Sequence, residues 1–243
     1  MAEVMTAQFW IGLMTIIWVN IILSGDNAVV IALAARSLPK DQQNKTIFWG
    51  AIAAVVLRII LTLFVVALLQ YPYLRIVGGL LLFWIAVKLL IPEHDDDDIE
   101  SSVNVLQAIK TILIADLVMS LDNVIAVAAA AKGSIMLLVL GLLISIPLVV
   151  YGATMLMKLM VRYPNIITIG AALIGYVSGE MPVTDPVVVE WFEINARWLI
   201  GFEVFAVGEV RLKLSVAGLI AGAFVVALGK SLAARRTRAE LGA

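Results

Sequence analysis

The chain has 243 residues, of which 63% are hydrophobic and 14% are charged. Soluble domains are about half apolar and a quarter charged, so this composition excludes an ordinary soluble domain and indicates a protein solvated by a lipid bilayer. The formal net charge of -1 gives no electrostatic basis for binding nucleic acid, and the absence of cysteine excludes disulfides, thiolate metal sites and a thiol nucleophile.

Seven segments are apolar enough to cross a bilayer, which requires about 20 mostly apolar residues. In chain order they are Gln8–Leu33, Thr46–Leu69, Tyr73–Ile91, Val103–Ala131, Ser134–Met157, Pro164–Ser178 and Ser215–Leu232. The first segment has no basic leader region and no small-residue cleavage signal, so we expect a retained helix. The sequence predicts an all-α membrane protein of about seven helices, as a single transmembrane domain over residues 1–243.

Two connections between these segments are long. The loop 93–102 is acidic, with His94 followed by four aspartates, and the polar loop 179–213 contains aromatic side chains that suit the headgroup level of a membrane. If the helices alternate in direction, most lysines and arginines of the short loops and of the C-terminal tail fall on one side. This bias predicts a multi-pass protein of the cytoplasmic membrane, with its N-terminus outside and its C-terminus in the cytoplasm.

The first and fourth segments contain nearly the same sequence, because residues 20–35 align without gaps with residues 116–131. The matched polar residues are Ser24, Asp26 and Asn27 in the first copy and Ser120, Asp122 and Asn123 in the second. Three crossings separate the copies, so they run in opposite directions. The sequence therefore predicts an inverted 3+3 repeat, over about 8–91 and about 103–178, with a seventh helix at about 215–232. Transporters of this build bind substrate near the membrane midplane.

Acidic side chains at this depth require a reason, because an aspartate at a helix centre costs about 2.5–3.5 kcal/mol on insertion scales. Asn20 and Asp116 open the two copies and share a helical face with the serine and asparagine that follow them, since positions i, i+4 and i+7 align. Asp26 and Asp122 lie about a third of a turn from that face. Either the helix unwinds there, as Gly25 permits in the first copy, or the aspartates approach from the flank.

The polar side chains of the two copies offer carboxylate, carboxamide and hydroxyl oxygens. Hard oxygen ligands suit Mg²⁺, Ca²⁺ and Mn²⁺, whereas Zn²⁺ and copper usually recruit Cys or His. We predict a site for a divalent cation, Mn²⁺ or Ca²⁺, as transported substrate and with no permanently bound cofactor. The predicted ligands are Asn20, Ser24, Asp26, Asn27, Asp116, Ser120, Asp122 and Asn123. A hydrogen-bond network that only joins the helices, and a proton relay without metal, stay open as alternatives.

Arg58 lies midway along the second segment, too deep to reach the membrane surface. Pairing with an intramembrane aspartate, or contacts with helix carbonyls, would compensate its buried charge. No Walker or Rossmann glycine loop is present, which argues against ATP drive, and no Ser/His pair or HExxH motif suggests an enzyme. Moving a divalent cation out against 100 mV requires about 4.6 kcal/mol. Because no nucleotide motif can supply this energy, and carboxylic acids can exchange protons for the metal, we predict proton antiport with Asp116 as proton carrier.

The motifs Ser24-Gly-Asp-Asn-Ala and Asp116-x-x-x-Ser-Leu-Asp-Asn, at this spacing, resemble the TerC family of membrane proteins and its YjbE-like branch. The likeness covers residues from about 10 to 180, including the run Gly78–Leu90. It implies a seven-helix fold related to LysE-type exporters, with Mn²⁺ efflux the activity linked to several members. Many members have an acidic residue where this chain has Asn20, which leaves one carboxylate in the first copy.

The resemblance also leaves other functions open. An exporter of an amino acid or another organic cation would suit a LysE-like fold, and a membrane scaffold in metal or tellurium resistance would need no transport of its own. The expected partners are membrane lipid, the divalent cation and protons, with no nucleic acid. A homo-oligomer is compatible with the sequence.

Overall fold

The computed structural model describes residues 7–64, 71–91, 101–131, 134–207 and 210–241. Its helices are α1 Ala7–Leu23, α2 Gly25–Ala35, α3 Lys40–Leu63, α4 Leu74–Leu90, α5 Ser101–Ala131, α6 Ile135–Arg162, α7 Asn165–Val183, α8 Val189–Asn195, α9 Arg197–Ile200 and α10 Val216–Leu241. An antiparallel hairpin of β1 Phe202–Val207 and β2 Val210–Leu214 precedes α10. The predicted helical fold is confirmed, and the hairpin and the two short helices occupy the predicted polar loop.

The helices that can cross a membrane follow the predicted segments closely. Within the described ranges, the helices long and apolar enough to span are Lys40–Leu63, Asn104–Leu121, Ile135–Arg162, Asn165–Val183 and Val216–Arg236. Helix α4 has 17 residues, and the first predicted segment forms two shorter helices of 17 and 11 residues. A multi-pass membrane protein is therefore supported, while the count of seven spans and the inverted repeat stay predictions.

The first predicted segment is interrupted at Ser24. This residue has φ −106° and ψ 4°, outside the helical range, and its carbonyl oxygen accepts the N–H of Ala28 at 3.0 Å, so that α2 begins at once. Gly25 follows, with no heavy atom within 4 Å of where a Cβ would stand. The interruption lies where the sequence placed local unwinding, one of the two arrangements that it allowed.

The chain packs as two compact units, of which the first comprises Met1–Gln70 and Asp95–Tyr163 and contains α1, α2, α3, α5 and α6. Within it, α3 packs on α5, α1 packs on α6, and α2 contacts both α5 and α6. Gly50 permits the close approach of α3 to α5, because a Cβ there would come within 2.8 Å of the Ile112 side chain. These contacts bring the two polar copies, on α1, α2 and α5, into one unit.

The second unit comprises Tyr71–His94 and Pro164–Ala243. Helix α7 packs on both α4 and α10, and Gly175 lies where an added Cβ would come within 2.9 Å of Gly222 in α10. The first unit thus holds the first two segments of each predicted repeat, and the second holds the third of each. The single domain and the repeat bounds stay predictions, and residues 93–100 of the acidic loop lie outside the described residues.

Candidate functional site

Arg58 is the centre of a buried polar cluster in the first unit. Its side chain is 3% exposed, and α3 places it among residues such as Ala54, Val55 and Leu61, which are all buried and apolar. A guanidinium keeps its charge under all physiological conditions, so this position requires acceptors on neighbouring helices. Helix α3 packs on α5, and this packing brings the acceptors on α5 close to Arg58.

Four of the five guanidinium N–H groups have acceptors from neighbouring segments. Nη2 donates to Oδ1 of Asp116 at 2.5 Å, and Nε donates to the Ser120 hydroxyl at 3.0 Å. Nη1 donates to Oδ1 of Asn20 at 2.8 Å and to the Ser24 hydroxyl at 3.2 Å. The sequence predicted that Arg58 pairs with an intramembrane aspartate or contacts helix carbonyls, and in the structure it pairs with the aspartate. The structure also shows three further acceptors that had been predicted as metal ligands.

Both carboxylate oxygens of Asp116 are engaged. Oδ1 forms the ion pair with Arg58, and Oδ2 accepts a hydrogen bond from the Ser120 hydroxyl at 3.2 Å. The serine lies four residues later on α5, where the helical period places it on the same face. Asp116 and Arg58 therefore form a neutral buried pair, and removing one partner of such a pair typically destabilises a protein by about 3–5 kcal/mol.

The network continues to α6 through Ser145. The amide of Asn20 donates to the Ser145 hydroxyl at 2.5 Å, and that hydroxyl donates to the carbonyl oxygen of Leu142 at 2.6 Å. Ser145 is fully buried. Ser145 was not predicted as a site residue, although a serine three residues after Leu142 in an otherwise apolar stretch is a weak signal. The Asn20 carboxamide thus links α1, α3 and α6.

Asn27 lies beside the network but does not belong to it. Its side chain is 4% exposed, and neither amide atom has a hydrogen-bond partner within the described part of the chain. A small cavity lies between α2, α3 and α5. The centre of a water-sized sphere can occupy about 10 Å³ of it. Its lining residues are Asn27, Val30, Ile31, Ala54, Ile112 and Asp116. This volume is close to the minimum that holds one water molecule, and among the described residues the polar ones on its walls are Asn27 and Asp116.

Asp26 occupies the first turn of α2 and is half-buried. One of its carboxylate oxygens accepts the backbone N–H of Asn27 at 2.8 Å. The positive end of the helix dipole favours an acidic group in this turn. Asp26 interacts electrostatically with Arg58 and Asp116. It therefore adds a second negative charge close to the cluster without contacting the guanidinium through a hydrogen bond.

The second copy is described in part. Asn123 lies on α5 with 9% exposure, and Asp122 lies on the same helix with its side chain outside the described residues. In the ranges that the structure describes, no three aspartate, glutamate or histidine side chains cluster closely enough to hold a metal ion. The structure thus joins Asn20, Ser24, Asp116 and Ser120 around Arg58. The complete set of eight metal ligands stays a prediction.

Comparison with known proteins places the chain in a family. Residues 5–230 match the family model described as "Integral membrane protein TerC family". The chain is 43% identical to the membrane protein YjbE of Bacillus subtilis over 181 residues, which cover 74% of this chain and 83% of YjbE. It is 23% identical to YkoY of the same organism over 79% of this chain and 67% of YkoY.

Another relative is the inner membrane protein YgdQ of Escherichia coli, which is 24% identical over 65% of this chain and 73% of YgdQ. No solved structure matches the chain. The family model covers nearly the whole sequence, including the polar cluster on α1, α2, α3 and α5. The chain therefore belongs to the TerC family of integral membrane proteins.

Proposed function

We propose that this protein exports a divalent metal cation, Mn²⁺ first, across the cytoplasmic membrane in exchange for protons. The observation that carries the proposal is the buried carboxamide of Asn27, which has no hydrogen-bond partner among the described residues and lines a small cavity together with Asp116. Carboxamide and carboxylate oxygens are ligands of hard divalent cations. Asp26, in the same turn as Asn27, supplies a second carboxylate nearby.

The charges around the cavity suit a divalent cation. When ionised, Asp26, Asp116 and Asp122 contribute −3 and Arg58 contributes +1, so the group carries −2. Asp122 enters this set through the predicted repeat. One divalent cation neutralises the group, and two protons do so as well, so that the exchange moves no net charge against the membrane potential. In this scheme Arg58 balances one of the three carboxylates, and the two protons or the cation balance the other two.

The cavity also bears on the alternatives. A volume near that of one water molecule favours a metal ion over an amino acid, which requires far more space. A polar network that only joins helices would satisfy its members, because buried polar groups in native proteins nearly always have partners. The Arg58 cluster meets this expectation and the Asn27 carboxamide does not. The unpaired amide therefore supports a ligand-binding role for this end of the cluster.

The test is metal uptake into inverted vesicles or proteoliposomes that contain the purified protein, with Mn²⁺, Ca²⁺, Mg²⁺ and Zn²⁺ compared. Asp26→Asn and Asp122→Asn should abolish uptake and leave membrane insertion intact, because each change is nearly isosteric and removes one charge. Asp41→Asn is the matched control, since Asp41 is exposed in the first turn of α3 and should tolerate the change.

Four results would contradict parts of the proposal. Uptake at the parent rate in both site variants would show that the cluster is not the transport site. Flux of an organic cation without flux of any of the four metals would favour the LysE-like alternative. Absence of flux in the parent, with the protein correctly inserted, would favour a scaffold. An imposed metal gradient should also drive protons the other way, and metal flux that ignores a pH gradient would contradict antiport.

A further inference from the structure

Arg58 binds the oxygen atoms that the sequence assigns to a metal. Its acceptors are Asn20, Ser24, Asp116 and Ser120, which are half of the eight predicted ligands, and all four are buried. The guanidinium lies among carboxylate, carboxamide and hydroxyl oxygens, as a hydrated or coordinated cation would. The structure thus shows a cation of the protein itself at the centre of the proposed ligand set.

We propose that Arg58 is a tethered substitute for the transported cation, an inference that rests on the proposed function. When no metal is bound, the guanidinium occupies the oxygen ligands and balances the Asp116 charge. The metal enters by taking Asp116 from Arg58, and Arg58 returns to Asp116 when the metal leaves. Arg58 is a positioning residue in this scheme, because it acts on the metal through the ligands that they share.

The position of Asp116 makes this exchange feasible. Its carboxylate contacts the guanidinium, and Asp116 is also one of the residues that line the Asn27 cavity. A cation in that cavity would lie beside both Asp116 and Asn27. Arg58 would keep its hydrogen bonds to Asn20 and Ser24 through Nη1, so its charge would not be left without acceptors. Asp26, which interacts electrostatically with Arg58, would offset part of that charge.

This role has a consequence for the transport cycle. After releasing its cargo, an exporter must return its site across the membrane, and carboxylates left without a counter-charge make that return unfavourable in a low-dielectric interior. Arg58 supplies a counter-charge that never leaves the protein. Removing Arg58 should therefore slow the return of the unloaded protein much more than the movement of the loaded one.

The two movements can be measured separately. Exchange of radioactive Mn²⁺ for unlabelled Mn²⁺ across a vesicle membrane needs only the loaded protein, whereas net flux into metal-free vesicles needs both movements. Arg58→Gln should keep exchange within about threefold of the parent and lower net flux by at least tenfold. Arg58→Lys, which keeps the charge but not the planar fork, should retain more net flux than Arg58→Gln. Thr111→Val on the exposed surface of α5 is the control, and should change neither rate.

A purely structural role for Arg58 gives a different result. If the ion pair only holds helices together, exchange and net flux should fall in parallel in Arg58→Gln, and that outcome overturns the inference while leaving metal export intact. Equal rates in the parent and in Arg58→Gln overturn it as well. A parent protein that shows neither exchange nor net flux overturns the proposed function, and the inference with it.

Two further measurements guard against misfolding of the variant. In Arg58→Ala, free guanidinium at millimolar concentration should restore net Mn²⁺ flux, and urea, which has the same shape without the charge, should not. In the parent, whose arginines can be labelled with ¹⁵N, saturating Mn²⁺ should shift guanidinium infrared bands, and Arg58→Lys should lack that shift. Rescue by urea as well as by guanidinium, or an unchanged infrared spectrum of the parent, overturns the inference.

Discussion

The ion pair between Arg58 and Asp116 gives a quantitative prediction for stability. Asp116→Asn preserves shape but leaves the buried guanidinium without its anionic partner, a change that typically costs about 3–5 kcal/mol. The side chains of the pair are 3% and 5% exposed, so solvent cannot compensate the loss. Arg58→Gln should be equally costly, because it strands the carboxylate. The double variant, which replaces the ion pair with two neutral amides, should be more stable than the sum of the single changes predicts.

The assay is reversible unfolding of the detergent-solubilised protein, followed by fluorescence of its six tryptophans. The double-mutant cycle isolates the coupling energy between the two side chains, which is about 0.5–3 kcal/mol for residues in direct contact. Asp41→Asn serves again as the control, and should change the free energy of unfolding by about 0.5 kcal/mol or less. Additive effects of the two single changes, or a loss below about 1 kcal/mol for Asp116→Asn, would refute the reasoning.

Three other experiments test separate features. Asn27→Val removes an unsatisfied buried amide, so it should raise stability by about 1–3 kcal/mol while abolishing Mn²⁺ binding; unchanged binding by calorimetry would contradict the ligand role. Ser145→Ala removes the partner of the Asn20 amide and should lower stability by about 1–2 kcal/mol in the same unfolding assay. Cysteines at the exposed positions Asn44 and Glu190 test orientation: an impermeant thiol reagent on intact cells should label Glu190→Cys and spare Asn44→Cys.

The membrane helices were predictable because each one is a long run of apolar residues. An apolar run of about 20 residues has few alternatives to a spanning helix, and the predicted start of α10 at Ser215 differs from the observed start by one residue. The break at Ser24 was foreseeable from Gly25 and from an aspartate inside an apolar stretch. The five helices that meet the length criterion lie on predicted segments. Length and polarity along the chain therefore predicted most of the helical fold.

The hairpin was missed although its signal is present. In β2, Val210, Leu212 and Leu214 alternate with Arg211 and Lys213, which is the period of a strand. The aromatic residues of that loop were interpreted as lying at the membrane surface, and the alternation of apolar and charged residues in β2 was not used. The division into two units could not be read from the sequence, since it depends on which helices pack together and not on the character of any one helix.

The sequence predicted the chemical type of partner that Arg58 needs, but not which residue is that partner. A buried arginine requires an acid or several carbonyls, but three aspartates were available, and helix packing selects Asp116. Ser145 was missed for a related reason: one hydroxyl in an apolar helix commonly bonds its own backbone, as it does here with Leu142, and nothing local reveals its second contact with Asn20. Motif reasoning finds the polar residues, whereas their pairing is a property of the tertiary structure.

The candidate site combines a satisfied part and an unsatisfied part, and the difference bears on affinity. The Arg58 network stabilises the fold without help from a ligand, whereas the Asn27 carboxamide costs about 1–3 kcal/mol as long as it lacks a partner. A ligand present at 100 times its dissociation constant stabilises the folded protein by about 2.7 kcal/mol. That amount is comparable with the cost of the unpaired amide. Cation binding at Asn27 and Asp116 can therefore offset the loss of stability that the unpaired amide causes without a ligand. The rise in stability expected for Asn27→Val should accordingly disappear when parent and variant are compared in saturating Mn²⁺, because only the parent is stabilised by binding the cation.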